Sequence, residues 1–168
     1  VLQRFLHNKI SLELTLFKAN GDNLIQTVMT SSGPQNQNTG KFSNTGLEFA
    51  GSYKPFDRLY LNATYSYISM KEPIVAAPEQ QINISTTYKL NRFHFSFSVQ
   101  HIQNLYTQVT PEKVTESYTL LSSRISCTIN KYLDVFVKGE NLSNKKYYIN
   151  YGYPMPGVIG FGGINLHI

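Results

Sequence analysis

Apolar and polar residues alternate one by one along most of the chain. Between residues 9 and 17, Ile10, Leu12, Leu14 and Leu16 fall on one side and Ser11, Glu13 and Thr15 on the other. That period of two is the signature of a β-strand with one apolar face. The pattern returns over 45–53 (Leu47, Phe49, Gly51, Tyr53), 58–69 (Leu59, Leu61, Ala63, Tyr65, Tyr67) and 81–89 (Ile82, Ile84, Thr86, Tyr88). It continues over 92–101 (Phe93, Phe95, Phe97, Val99) and 120–129 (Leu121, Ser123, Ile125, Cys127, Ile129). With 132–140 and 158–168 these make about eight predicted strands, and no segment carries an amphipathic helical repeat. Phe136 breaks its alternation by falling among Asp134, Lys138 and Glu140, so an aromatic is expected on the polar face there.

The connections alternate too. Residues 54–57, 90–92 and 130–131 read as tight turns, with Pro55, Asp57, Asn91 and Asn130 supplying turn chemistry. Residues 27–41, 71–80, 105–117 and 141–157 read as long loops. In an up-and-down meander this order places every long loop, with Pro34 and Pro111, on one rim. Pro55, Asn91, Lys131 and Ile168 are expected on the other.

Alternation alone leaves two architectures open. A soluble barrel points its apolar face inward, whereas an outer-membrane barrel turns that face to lipid and lines its lumen with the polar one. Composition separates them. Only 15% of the residues are charged, with a net charge of +5, where soluble domains carry about a quarter. Polarity comes instead from 15 Asn, 9 Gln, 15 Ser and 13 Thr. The polar faces read Asn62, Thr64, Ser66, Asn83, Ser85, Thr87, Ser96, Ser98 and Gln100, which suits a hydrated lumen better than a Lys- and Glu-rich exterior. Tyr53, Tyr65, Tyr67, Tyr88 and Phe93 gather toward strand ends, as interfacial aromatic girdles do. The membrane reading therefore places Leu59, Leu61, Ile84, Phe95, Phe97, Ile125, Val135 and Leu166 outward, and Asn62, Ser85, Ser96, Arg124 and Asn165 inward.

Other classes find little support. A hydrophobic content of 41% excludes intrinsic disorder, and no run approaches the roughly 18 apolar residues of a membrane helix. Residues 1–8 lack the plan of a signal peptide. The single cysteine, Cys127, excludes an internal disulfide and a cysteine-based zinc cluster. His7, His94, His101 and His167 have no metal-binding spacing, and 160–163 (Gly-Phe-Gly-Gly) lacks the helix start and Lys of a phosphate loop. No catalytic residue, cofactor site, metal site or nucleic-acid contact is expected.

Two segments carry a family likeness. Residues 137–148 (Val-Lys-Gly-Glu-Asn-Leu-Ser-Asn-Lys-Lys-Tyr-Tyr), then 151–157 (Tyr-Gly-Tyr-Pro-Met-Pro-Gly) and a closing strand, resemble the end of TonB-dependent outer-membrane receptors. In that family a strand leads into Asn-Leu-x-[Asp/Asn]-x-x-Tyr and a Gly-Tyr-Pro-x-Pro-Gly turn. Residues 38–49 (Asn-Thr-Gly-Lys-Phe-Ser-Asn-Thr-Gly-Leu-Glu-Phe) resemble the same family's Asn-x-Gly and Gly-x-Glu strand. Two positions depart from the pattern: Val158 stands where Arg is frequent after the Pro-Gly turn, and Ile168 where the terminal residue is usually aromatic.

The resemblance implies an all-β, antiparallel, up-and-down transmembrane barrel of about 22 strands around an N-terminal plug, the strand number of plugged transporters. Residues 1–168 would be the C-terminal segment of that barrel, one incomplete domain in the bacterial outer membrane. The implied function is uptake of a large scarce nutrient: a ferric siderophore, haem or cobalamin. The implied partners are outer-membrane lipid, the remaining strands and plug, TonB through the N-terminal part, and the nutrient chelate. The alternative is a small self-contained barrel, membrane-bound or soluble, that binds a ligand without transport.

Tyr106, Tyr147, Tyr148, Tyr151 and Tyr153 in the long loops are candidate substrate contacts. Glu48, Arg124, Lys138 and Glu140 fall on polar faces and form a candidate lumen charge network. Asn141 and Asn144 are suited to end a strand and start a turn. Cut from a wider barrel, the strands are expected to form an open sheet rather than to close 9–17 onto 160–168.

Overall fold

The computed structural model describes residues 2–6, 9–23, 25–38 and 40–167; Val1, His7, Asn8, Leu24, Thr39 and Ile168, and with them the expected rim position of Ile168, lie outside the described residues. The described residues form strands and connections without a helix: β1 (Leu2–Phe5), β2 (Ile10–Gly21), β3 (Ile25–Thr30), β4 (Gly33–Asn38), β5 (Phe42–Phe56), β6 (Leu59–Met70), β7 (Pro78–Leu90), β8 (Phe93–Gln108), β9 (Val114–Asn130), β10 (Leu133–Glu140), β11 (Tyr148–Asn150), β12 (Tyr153–Pro154) and β13 (Ile159–Leu166). All eight strands read from the alternation are present. The expected number is too low, because the main sheet alone has nine strands and two further hairpins stand beside it.

That sheet is an antiparallel meander in the order β1-β2-β5-β6-β7-β8-β9-β10-β13, with β3–β4 and β11–β12 as hairpins within two of its connections. Its register sorts the side chains. Leu12, Gly51, Ala63, Ile84, Val99 and Leu121 make one cross-strand row, while Ser11, Ser52, Asn62, Ser85, Ser98 and Ser122 make the next on the opposite face. The apolar face has no second layer over it. Leu14, Ile84, Phe97 and Ile125 are 47%, 51%, 42% and 41% exposed, and no large side chain among the described residues is fully buried. An apolar surface of this extent needs a non-aqueous partner. Among the described residues β1 and β13 each have one neighbour in the sheet, so it is open at both edges, as expected of strands cut from a wider barrel.

Local chemistry accounts for the turns. Asn91 takes a left-handed φ of 51° in the two-residue β7–β8 turn, a conformation that Asn tolerates. Asp57, in the β5–β6 turn, lies 2.7 Å from the Lys54 ammonium, and that hydrogen bond holds its carboxyl below the usual carboxylate range. Gly46 is needed for packing: a Cβ there would lie 2.5 Å from both the Phe17 ring and the Tyr67 carbonyl oxygen. The glycine of the Gly-x-Glu segment thus lets an aromatic lie across the polar face of β5.

Two expected loops are mostly strand: 27–41 carries most of β3 and all of β4, and 105–117 carries the end of β8 and the start of β9. β8 and β9 stay paired as far as Gln108 and Val114, which leaves only 109–113 as the connection, where the Thr110–Pro111 peptide is cis. A bulge interrupts the ladder between Ile102 and Leu105, with Asn104 at φ 52°. The extra residue breaks the period of two, so the alternation fades there while the ladder continues.

Candidate functional site

The long connections meet at one rim, and the last of them is tied together by two asparagine side chains. Asn141 leaves β10 at φ 49° and Asn144 follows at φ 51°, so both occupy the left-handed geometry that ends a strand. The Asn141 side chain is 5% exposed. Its Nδ2 donates to the carbonyls of Lys145 (2.9 Å) and Pro156 (3.1 Å), and its Oδ1 accepts from the Lys145 amide (2.9 Å). Asn144 Oδ1 accepts from the Val158 amide at 3.3 Å. These two amides tie the start of the connection to its end, fifteen residues on in the case of Pro156.

The stapled connection folds back against β8 and β9. Tyr147 packs against Tyr118, with ring centroids 4.3 Å apart and the ring planes tilted by 38°, and joins Ile102 and Leu105 in a small buried cluster flanked by Leu120, Ile149 and Met155. Burial, with the nearby Glu140 charge, raises the Tyr147 phenol above its ordinary pKa. The Tyr148 amide donates to the Glu116 carboxylate at 3.3 Å, and the Tyr151 amide to the Thr107 carbonyl at 3.0 Å. Pro154 and Pro156 lack amide protons, and the short β11–β12 hairpin stands apart from the main sheet.

Beside that hairpin lies an open cavity of about 490 Å³. Ile25, Thr27 and Pro34 come to it from the β3–β4 hairpin, Ile74 and Val75 from the β6–β7 connection, Thr107 to Thr110 from the β8–β9 end, and Asn150, Tyr151 and Tyr153 from the final connection. All four long connections therefore share one rim, with Pro34 and Thr110 lining the same space. The lining is apolar, hydroxyl and amide, and carries no charge. A second cavity, of about 440 Å³, lies between the polar face (Asn83, Ser85, Ser98, Gln100, Ser122) and the stapled connection (Glu140, Asn141, Tyr147, Met155, Pro156).

The candidate tyrosines divide. Tyr151 and Tyr153 line the rim cavity and are 60% and 76% exposed. Tyr148 stands on β11, half-exposed, opposite Pro154. Tyr147 is 9% exposed in the buried cluster. Tyr106 donates its hydroxyl to Glu79 at 2.8 Å, and Asn104 Nδ2 reaches the other oxygen of the same carboxylate at 2.8 Å, so Tyr106 ties β8 to the start of β7. The sequence reading missed Ile25, Ile74, Val75, Thr107 and Val109; loop length pointed to their segments, but single apolar residues in polar loops carry no periodic signal.

Three of the four candidate charges come together. Arg124 and Lys138 face each other across β9 and β10, Lys138 pairs with Glu140, and the Arg124 guanidinium lies over the Phe136 ring. Phe136 is thus an aromatic on the polar face. Glu48 stands apart on β5, opposite Thr15 and beside a cavity of about 310 Å³ that Glu13 also lines. Three strands separate β5 from β9.

Residues 2–142 match a family model described as TonB dependent receptor-like, beta-barrel. No curated protein matches the chain. Among solved structures, it is similar to the ferric-catecholate import receptor Fiu from Escherichia coli K12, with 16% identity and a TM-score of 0.72, covering 99% of this chain and 26% of that one. It is also similar to the siderophore receptor PirA from Acinetobacter baumannii (15%, TM-score 0.73, 97% of this chain and 30% of that one). The copper transporter OprC gives 12% identity and a TM-score of 0.79 over 97% of this chain and 30% of that one. At these identities the likeness is one of fold, and the chain spans between a quarter and a third of each of those proteins.

Proposed function

The chain belongs to the TonB-dependent receptor β-barrel family of the bacterial outer membrane, and from that premise we propose that it supplies part of the wall and extracellular rim of an import receptor. The cargo is a large, scarce nutrient of the ferric siderophore, haem or cobalamin class. The family is one of transport receptors, not of enzymes. The observation that carries the reading is the convergence of all four long connections on one uncharged, aromatic-edged cavity. In outer-membrane barrels the longer loops are extracellular, so that cavity faces the medium from which cargo arrives. Large ligands are held by concave, mostly apolar surfaces with a few placed polar groups, and Ile25, Val75, Tyr151 and Tyr153 beside Thr27, Thr107 and Asn150 supply such a surface.

Residues 1–168 are, in this proposal, the C-terminal part of the receptor barrel, one incomplete domain. Open edges at β1 and β13 and the fraction of each similar structure that the chain spans support that reading. An unpaired edge in hydrocarbon costs several kcal/mol per unsatisfied group, so the remaining strands of the receptor close the sheet. The other partners are lipid on the apolar face, a plug in the lumen, and TonB, which engages the N-terminal part and remodels the plug to open a path.

Uptake is the test. Cells producing the receptor that contains this chain are given radiolabelled ferric siderophores, haem and cobalamin, with and without functional TonB. One of these should accumulate only when receptor and TonB are both present. Replacing Tyr151 or Tyr153 by alanine should weaken binding of that cargo by about tenfold, the loss of a single aromatic anchor of roughly 1.4 kcal/mol. Accumulation of none of them, or binding indifferent to both tyrosines, would contradict the proposal.

A further inference from the structure

Arg124 is a cation on the polar face of β9 that has no acidic partner among the described residues. Its guanidinium carbon lies 3.9 Å from the centroid of the Phe136 ring, and among the described residues that guanidinium makes no hydrogen bond or ion pair. The ring is held back to receive it. Gly163 pairs with Phe136 across β10 and β13, and a Cβ at 163 would meet the ring at 2.8 Å. A side chain there would require the ring to shift from the place it holds beside Arg124.

The electrostatics are lopsided. Lys138 stands directly opposite Arg124, and like charges so placed destabilise a sheet. Lys138 is turned onto Glu140; Arg124 has only the ring face and, across the ladder on its other side, Ser96. A guanidinium stacked on an aromatic keeps its planar fork of N–H donors free at the edge. That fork matches a carboxylate in bidentate geometry, and the charge-assisted bonds so formed are about twice as strong as neutral ones.

We propose that Arg124, seated on Phe136 and permitted by Gly163, is a carboxylate-binding site on the lumen wall. The carboxylate comes either from an acidic side chain of the polypeptide that occupies the lumen of the whole receptor, or from the cargo during passage. Binding relieves the repulsion between Arg124 and Lys138. The inference needs the polar face to line the lumen; it does not depend on the rim cavity as the cargo site.

The test uses the receptor that contains this chain, labelled with nitrogen-15 arginine and held in detergent micelles. The Nε–H resonance of Arg124 is assigned by its loss in Arg124→Lys and followed during additions of sodium acetate, with sodium chloride at equal ionic strength as reference. A saturable shift with acetate alone identifies a free site, open to a cargo carboxylate. A resonance unmoved by acetate but shifted when one luminal Asp or Glu is replaced by its amide identifies the polypeptide as the source. In either case Phe136→Leu should weaken the carboxylate response by about tenfold, since the stack that aims the fork is lost, with the heat-dependent gel mobility of the folded barrel retained. A resonance that responds neither to acetate beyond chloride nor to removal of any luminal carboxylate overturns the proposal. Uptake through the rim would be unaffected by that outcome, so the two readings fail separately.

Discussion

Phe97→Arg is expected to destabilise the receptor in a lipid bilayer by about 2 to 4 kcal/mol, the cost of an arginine on the lipid face near the midplane, whereas Ser98→Arg should cost far less. The two positions are neighbours in sequence and opposite in environment. Phe97 lies in the cross-strand row of Tyr53, Leu61, Thr86 and Ser123, on the exposed apolar face. Ser98 lies in the row of Ser11, Ser52, Asn62, Ser85 and Ser122, where water and other polar groups can solvate a new charge. The measurement is the folded fraction of each variant in phospholipid vesicles across a urea series, read from heat-dependent gel mobility. Equal midpoints for the two would mean that the faces are assigned wrongly.

The second large effect is expected at Asn141. Its side chain makes three hydrogen bonds at a position 5% exposed, and its backbone sits at φ 49°. Asn141→Ala leaves the Lys145 and Pro156 carbonyls without their donor and places a less tolerant residue in left-handed geometry. Lys145 and Pro156 are exposed, so water can take up their carbonyls, and the loss is that of three hydrogen bonds at about 0.5 to 1.5 kcal/mol each, about 1.5 to 4.5 kcal/mol of local destabilisation. The loss should be confined to the connection: Tyr147 should leave Tyr118, and residues 141–158 should become open to protease and to hydrogen exchange while the strands stay protected. Asn141→Asp keeps the acceptor for the Lys145 amide and loses both donors, so it should fall between the alanine variant and the parent protein. An unchanged protease pattern in Asn141→Ala would show that the hydrogen bonds do not hold the connection in place.

The strands were legible in the sequence because a sheet with one apolar and one polar face writes its period of two directly into residue choice. Ile10 to Leu16, Leu59 to Tyr67 and Phe93 to Val99 all obey it, and their faces are those expected. Where that contrast between the faces weakens, the reading weakens too. β3 and β4 pair through Thr27, Asn36, Gln35 and Gln37, an amide-rich hairpin standing off the main sheet with no apolar row to reveal it. β8 and β9 were cut short because the bulge beside Asn104 shifts the phase of the alternation, and Pro111 with Glu112 looked like the middle of a long loop.

The site was legible in outline only. Loop length indicated which segments gather at the rim, and the Asn-Leu and Pro-x-Pro-Gly signals located the final connection, much of which lies beyond the residues matched by the family model. Which tyrosines face the cavity depends on how the connection folds back. Tyr147 is drawn onto Tyr118 because Asn141 and Asn144 close the loop behind it, and Tyr151 and Tyr153 are left at the edge. Nothing in a one-dimensional pattern separates those tyrosines. That Arg124 has no acidic partner among the described residues was equally hidden, since it depends on Lys138 capturing Glu140 one strand away.

The central claim is that these strands cross the outer membrane with every long connection outside the cell, and single-cysteine labelling in intact cells tests it most directly. With the native cysteine removed by Cys127→Ser, cysteines are introduced one at a time by Pro34→Cys, Thr110→Cys, Tyr153→Cys, Asn91→Cys and Lys131→Cys in the receptor that contains this chain. A membrane-impermeant maleimide should label the first three in intact cells and the last two only after the outer membrane is permeabilised. Labelling of Asn91→Cys or Lys131→Cys from outside, or of Pro34→Cys and Thr110→Cys from opposite sides, would contradict the account.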